Sequence, residues 1–261
     1  MMVAAQQTAR AAATPRAQVI VIAKQPLPGR VKTRLTPPFS PRQAARLAAA
    51  ALADTLAAAA QVPAVRHVLA LEGTAGDWLP PGFDVIAQQG RGLDERLAAA
   101  FGQAYARLPV PVVLIGMDTP QVTLGMLEAA IRPLATGSAD AVFGPAADGG
   151  FWLLGLRRPD PALLLGVPMS ALDTGEAQLA RLTGAGLRVH QLPLRTDVDD
   201  AATARAVAAQ IPRSRFAAAL RPMLAGLGRP AAAGGLAVPV RGREPELGSY
   251  GSVTAPARCF R

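Results

Sequence analysis

An apolar run that leads directly into a basic, glycine-containing loop constrains this chain more than any other feature. Residues 19–22 read Val-Ile-Val-Ile, which predicts a short buried strand. The loop at 23–35 follows, and an alanine-rich helical stretch comes after it. Both lysines of the chain, Lys24 and Lys32, lie in this loop, and all other basic residues are arginines or histidines. Their position indicates that compact ammonium charges are needed there.

The composition of the loop favours phosphate binding. Glycine lets the backbone come close to a ligand, and amides and cations after a first strand can bind phosphates together. We therefore predict a nucleotide-binding loop whose contacts come from Lys24, Gly29, Lys32, Thr33 and Arg34. The spacing is not that of a Walker P-loop. A solvated basic loop with no ligand is the alternative.

Apolar runs alternate with helical patterns along the chain, which predicts an α/β fold with a mixed, mostly parallel sheet flanked by helices. The predicted strands lie at 18–22, 66–71, 83–87, 110–115, 140–144, 151–156 and 187–192. The predicted helices lie at about 41–60, 93–108, 123–134, 174–183 and 200–210. A Ser-Pro pair at 40–41 suits a helix start.

Charge and composition divide the chain into three parts. We predict a disordered N-terminus at 1–16, one folded α/β domain at 17–212 and a basic, mostly disordered tail at 213–261. The net charge is +9, of which the tail carries +6 and the N-terminus +2, so the central part is close to neutral. This distribution disfavours a nucleic-acid-binding domain. A single cysteine, Cys259, and the lack of a long apolar segment favour a cytoplasmic protein without a membrane partner.

Acidic residues follow two of the predicted strands where parallel sheets collect ligands. Asp118 follows the 110–115 strand, and Asp197 and Asp199 follow the last strand, two positions apart and predicted to face the same side. Carboxylates beside a phosphate ligand favour Mg²⁺ or Mn²⁺. We therefore predict that these three residues bind the metal.

Each acidic residue also has a plainer interpretation. Asp118 could belong to a turn before a helix, and Asp197, Asp199 and Asp200 could be acids at a helix N-terminus. Asp148 precedes two glycines and could form a simple turn. Its alternative role is a catalytic one, as an acceptor contact or general base. No paired His or Cys motif and no Gly-x-Ser-x-Gly motif is present, so the sequence favours neither a zinc site nor a hydrolase.

Four motifs in chain order resemble a family of GT-A-fold transferases that was once known only as a domain of unknown function. The family is often described as an arsenosugar-biosynthesis-type glycosyltransferase. The motifs are Lys-Gln-Pro at 24–26 with Gly-Arg-Val-Lys-Thr-Arg-Leu at 29–35, Gly-Met-Asp-Thr-Pro at 116–120, the Gly-Pro and Asp-Gly-Gly-Phe motifs at 144–156, and Asp-Val-Asp at 197–199. The chain departs from the family at 92–97, where Asp94 replaces a glycine, and at Met169, where tryptophan is usual.

The resemblance implies a nucleotide-diphospho-sugar transferase fold, distantly similar to guanylyltransferases for molybdopterin and for phosphoenolpyruvate or phospholactate. In such proteins the first loop holds the nucleotide phosphates and an aspartate at the Asp118 position binds a divalent metal. It implies a glycosyltransferase with a nucleotide-sugar donor and a small-molecule acceptor. A nucleotidyltransferase that releases pyrophosphate is the second hypothesis. A non-catalytic nucleotide- or nucleic-acid-binding protein, suggested by the arginine-rich tail, is the third.

Overall fold

A computed structural model describes residues 16–227, which form a seven-stranded sheet with helices on both faces. The strands are β1 (Gln18–Lys24), β2 (Arg66–Glu72), β3 (Phe83–Ala87), β4 (Val112–Gly116), β5 (Ala141–Pro145), β6 (Phe151–Leu156) and β7 (Val189–Gln191). The helices are α1 (Pro41–Ala60), α2 (Leu93–Arg107), α3 (Leu124–Thr136), α4 (Thr174–Gly184), α5 (Ala201–Gln210) and α6 (Arg215–Leu227). None of these helices is long and apolar enough to cross a membrane.

The strand order is β3-β2-β1-β4-β6-β5-β7. Every pair of neighbours is parallel except the two pairs that include β6. The prediction of a mixed, mostly parallel sheet is therefore confirmed. The sheet separates two apolar cores, because alternate side chains of each strand point to opposite faces. Val21 of β1 packs with α1 and α3, whereas Ile20 packs with α2.

Helix α1 begins where the sequence predicts, because Ser40 caps it. The Ser40 hydroxyl accepts a hydrogen bond from the Gln43 amide at 3.3 Å, and the Gln43 side chain accepts one from the Ser40 amide at 2.8 Å. Pro41 occupies the first helical turn, where its missing N–H is not needed.

Helix α6 lies inside the segment that the sequence analysis assigned to a loose basic tail, yet it is packed. Its residues Phe216 and Leu220 are buried in a third apolar core with Leu47 of α1. The carboxylate of Asp54 in α1 accepts a hydrogen bond from the Phe216 amide at 2.9 Å, which caps the start of the helix. The rest of the predicted tail, including Cys259, and the predicted N-terminal segment up to residue 15 lie outside the described residues.

The order of the strands creates a switch point between β1 and β4. From β1 the chain moves outward to β2 and β3, and it then returns to place β4 on the other side of β1. In open α/β sheets a crevice forms where connections diverge in this way, at the carboxyl ends of the strands. The Lys24 amide at the end of β1 lies 3.3 Å from the Met117 sulfur, directly beside Asp118. The sheet thus brings the basic loop and Asp118 to one place.

Candidate active site at the carboxyl ends of the strands

Lys32 lies at the centre of the site. Its ammonium nitrogen lies 2.8 Å from the Asp118 Oδ2 atom, and it donates a hydrogen bond to the Val198 carbonyl. The Lys32 side chain is only 10% exposed. The Val198 amide in turn donates to the Asp118 carbonyl at 3.0 Å. Three segments that are far apart in the sequence therefore meet at one buried ammonium group.

Asp197 lies in the same group and is held by Thr119. The Thr119 hydroxyl donates to the Asp197 Oδ1 atom at 2.6 Å, and the Gln121 side chain donates to the neighbouring Thr196 carbonyl at 2.6 Å. Burial of the carboxyl raises the pKa of Asp197 to about 6. This value already includes the Thr119 hydrogen bond, which lowers the pKa, and the charges of Asp118 and Asp148, which raise it. Asp197 is therefore a carboxylate whose ionisation is costly in the absence of a cation.

Asp199 has a different partner from Asp197. Its Oδ2 atom lies 2.7 Å from the Arg34 guanidinium; the Arg34 side chain is largely exposed and the Asp199 side chain is partly buried. This hydrogen bond, with the Asp199 charge, raises the pKa of Arg34. Within residues 16–227 no three Asp, Glu, His or Cys side chains come together as a metal-binding group. The three carboxylates predicted to bind metal thus do not form one cluster: Asp118 and Asp197 are neighbours, and Asp199 pairs with Arg34.

Asp148 forms a turn and also lies near the other acidic groups. Its Oδ1 atom accepts a hydrogen bond from the Gly150 amide at 2.9 Å. Its charge acts on the pKa of Asp197 and on that of Arg34, so it lies near enough to both for its charge to be felt. The turn interpretation and the site interpretation are therefore compatible.

Gly149 is required for this turn by both its backbone and its surroundings. Its φ is +88°, and a side-chain carbon there would overlap the Leu172 carbonyl oxygen. We expect Gly149→Ala to lower the free energy of unfolding by about 2–3 kcal/mol, because the strain of a left-handed alanine backbone and the steric clash with Leu172 both destabilise the fold. Urea unfolding measures this loss. Gly29→Ala is the matched control, since Gly29 has a φ of +75° and nothing within 4 Å, and should cost about 1 kcal/mol. Equal losses would mean that the contact with Leu172 contributes nothing.

The helix caps decide which acidic residues are ordinary helix acids. Asp200 is the N-cap of α5 and accepts a hydrogen bond from the Thr203 amide at 2.8 Å. Thr123, not Asp118, caps α3. Asp118 and Asp197 therefore have no capping role that would account for them. In the basic loop, Gly29 has a left-handed backbone and Thr33 starts a short 3₁₀ helix.

Lys24 belongs to a second charged cluster that the sequence analysis missed. Its ammonium lies 3.5 Å from the Glu72 carboxylate at the end of β2, and Arg96 of α2 also bonds to Glu72. Burial raises the pKa of Glu72, but the hydrogen bond from Arg96 and the charge of Lys24 lower it below its usual value overall. Nearby, the Gln88 side chain donates to the Ala23 and Ala70 carbonyls at 2.8 and 3.0 Å. This cluster lies on the β2 side of the crevice.

Asp94, the residue at which the chain departs from the family motif, forms a hydrogen bond with another segment of the chain. Its Oδ2 atom accepts a hydrogen bond from the Gly166 amide at 3.0 Å. This bond lowers the pKa of Asp94. Asp94 therefore ties the start of α2 to the loop before α4, an interaction that glycine could not make.

Comparisons with known proteins agree with this architecture. The family model for an uncharacterized protein conserved in bacteria, DUF2064, matches residues 43–171. A solved protein from Desulfovibrio desulfuricans G20, provisionally named a nucleotide-diphospho-sugar transferase, is 30% identical over 80% of this chain and 95% of its own, with a TM-score of 0.74. The chain therefore belongs to the DUF2064 family. No functionally curated protein matches the sequence.

A more distant match supports the fold of this DUF2064 protein. The 4-diphosphocytidyl-2C-methyl-D-erythritol synthase from Anaerococcus prevotii DSM 20548 is 10% identical over 77% of this chain and 97% of its own. Its TM-score is 0.50, which indicates a shared fold. The fold is therefore the nucleotide-diphospho-sugar transferase fold, which this synthase shares.

Proposed function

We propose that this protein is a metal-dependent glycosyltransferase that uses a nucleotide-sugar donor and a small-molecule acceptor. The observation that carries the proposal is the meeting of Lys32, Asp118 and Asp197 at the switch point of the sheet. The name of the Desulfovibrio relative favours a nucleotide sugar as the donor.

The cations of the basic loop suit the diphosphate of such a donor. Lys32 and Arg34 each lie at a carboxylate, so the crevice holds both charge signs side by side. Phosphate oxygens that enter the crevice would compete with these carboxylates for the two cations. Lys24 lies at the other end of the loop and extends the positive charge toward β2.

The carboxylates of the site fit a hard divalent cation. The Asp118 Oδ1 atom is buried and accepts no hydrogen bond from any described residue, although a buried acceptor is normally satisfied. Asp118 and Asp197 would hold Mg²⁺ or Mn²⁺ through oxygen, the ligand atom these ions prefer. Bound there, the ion would stabilise the negative charge of the departing nucleoside diphosphate.

Asp148 is the candidate for contact with the acceptor. In the proposed reaction an acceptor hydroxyl oxygen forms a bond to the sugar carbon, and the bond from that carbon to the phosphate oxygen breaks. The nucleoside diphosphate leaves with the electron pair, and the hydroxyl proton passes to the Asp148 carboxylate. The Gly150 amide, at 2.9 Å, orients this carboxylate.

A nucleotidyltransferase is the second candidate. The lysines at both ends of the loop, Lys24 and Lys32, would suit a triphosphate. In that reaction an acceptor phosphate attacks the α-phosphorus, and pyrophosphate leaves. The two reactions use the same charged residues and differ in the product.

Product analysis of the full chain tests both candidates. The protein is first screened with nucleotide sugars and nucleoside triphosphates in the presence of MnCl₂, and a donor at 100 times its Kd should stabilise it by about 2.7 kcal/mol. The stabilising compounds are then incubated with candidate acceptors. Release of nucleoside diphosphate supports glycosyl transfer, and release of pyrophosphate supports nucleotidyl transfer. Failure of every donor to stabilise the protein or to be consumed contradicts both.

A further inference from the structure

The Lys32 ammonium is held like a bound cation. Its oxygen neighbours are Asp118 Oδ2, at 2.8 Å, and the Val198 carbonyl. Its backbone has a φ of 50°, in the left-handed region that residues other than glycine, asparagine and aspartate seldom adopt. Such a conformation persists only where the surroundings impose it, and it is common at functional sites. The fold therefore accepts backbone strain and places this ammonium among oxygens.

More oxygen atoms lie around Lys32 than its ammonium group binds. Asp118 Oδ1 is buried and receives no hydrogen bond from the described residues. Asp197 precedes Val198 in the chain, and among the described residues its side chain accepts one hydrogen bond, on Oδ1 from Thr119, the residue after Asp118, at 2.6 Å. A hard divalent cation takes six or more oxygen ligands, including carboxylates, backbone carbonyls and water. The carbonyl and the two carboxylates supply the protein part of such a set.

We propose that Lys32 occupies the place of the divalent cation in the nucleotide-free protein, and that the Val198 carbonyl, not Asp199, is the third protein oxygen of that site. This inference rests on the proposed function. Asp199 is excluded because Arg34 binds it at 2.7 Å. An ammonium at Oδ2 and a divalent ion at the same carboxylate repel each other, so the two compete for Asp118. Phosphates that draw Lys32 away open the site, so the cation and the nucleotide bind together.

Mn²⁺ alone, without nucleotide, is the probe that tests this inference. The loss of the free Mn²⁺ signal in electron paramagnetic resonance measures binding to the full chain. We expect Lys32→Met to bind Mn²⁺ at least about tenfold more tightly than the wild type, because a like charge in contact with the site has been removed. The double variant Lys32→Met/Asp118→Asn should lose the gain. Arg34→Met removes a neighbouring charge that does not touch Asp118, and it should change the affinity less than about threefold.

Equal Mn²⁺ affinity in the wild type and Lys32→Met would overturn the inference, as would a gain that survives in the double variant. Thermal unfolding shows whether each variant is folded. If Lys32→Met is unfolded, Lys32→Gly decides, because glycine adopts the left-handed backbone without strain. Failure of the proposed function would look different: the wild type would consume no nucleotide donor in the presence of Mn²⁺, whatever the metal-only titration shows.

Discussion

Replacing Asp118 with asparagine is expected to slow transfer by about a thousandfold, the upper end of the loss caused by removing one electrostatic contact at a reacting centre. The Asp118 carboxylate contacts Lys32, and its charge acts on the buried carboxyl of Asp197. Asparagine keeps the shape of the side chain but removes the charge that attracts a divalent cation. The backbone at this position should not move, because the carbonyl of residue 118 accepts the hydrogen bond from the Val198 amide whether the side chain is aspartate or asparagine.

Initial rates at saturating donor and Mn²⁺ measure this effect, and circular dichroism checks the fold. Asp140→Asn is the matched control, since Asp140 pairs with Arg188 beside β7 and has no contact with the site. It should keep wild-type turnover. Near-normal turnover in Asp118→Asn would show that this carboxylate does not hold the metal, and would remove the main support for a metal-dependent reaction.

The sequence predicted the elements of the fold well because its signals are local. The strands Phe83–Ala87 and Phe151–Leu156 and the helix Pro41–Ala60 have the predicted bounds. For α1 a serine cap and a proline fix the start. The edge strand β7 is shorter than predicted: it covers Val189–Gln191 and pairs only with β5. Periodicity locates a strand, but the partner strand determines where pairing ends.

The site was predicted in part, because the motifs name residues and not their partners. The rule for strand ends predicted that the basic loop and Asp118 lie close together, and the Lys32 ammonium lies 2.8 Å from Asp118. The hydrogen bond from Thr119 to Asp197 joins residues 78 positions apart, so no local sequence pattern indicates it. The pairing of Asp199 with Arg34 was equally hidden. A helical spacing at Phe216 and Leu220 could have indicated α6, but the surrounding proline and arginine residues suggested a tail.

Asp197→Asn is expected to stabilise the protein at neutral pH while it reduces metal-dependent transfer. The pKa of Asp197 is raised from 3.8 to about 6, first by burial of the carboxyl and then by the charges of Asp118 and Asp148. An acid with a raised pKa binds its proton more tightly in the folded state, so stability falls as pH rises from 3.8 through 6. The full penalty is present above pH 6 and amounts to about 2–3 kcal/mol. Asparagine avoids this penalty, and its Oδ1 atom can still accept the Thr119 hydrogen bond.

Urea unfolding between pH 4 and pH 7.5, in EDTA, measures this gain as a stability difference that grows with pH. Asp140→Asn should show the opposite sign, because the hydrogen bonds from Arg188 lower the pKa of Asp140 to about 2. Asp140 therefore stabilises the fold above pH 3.8, and its replacement should cost nearly the same stability at every pH between 4 and 7.5, because this stabilisation is lost only as the pH falls from 3.8 toward 2. If the gain from Asp197→Asn is the same at every pH, the carboxylate is not destabilised by its surroundings. A gain that does grow with pH, together with lost transfer, would mean that the fold keeps an unfavourable charge because the reaction needs it.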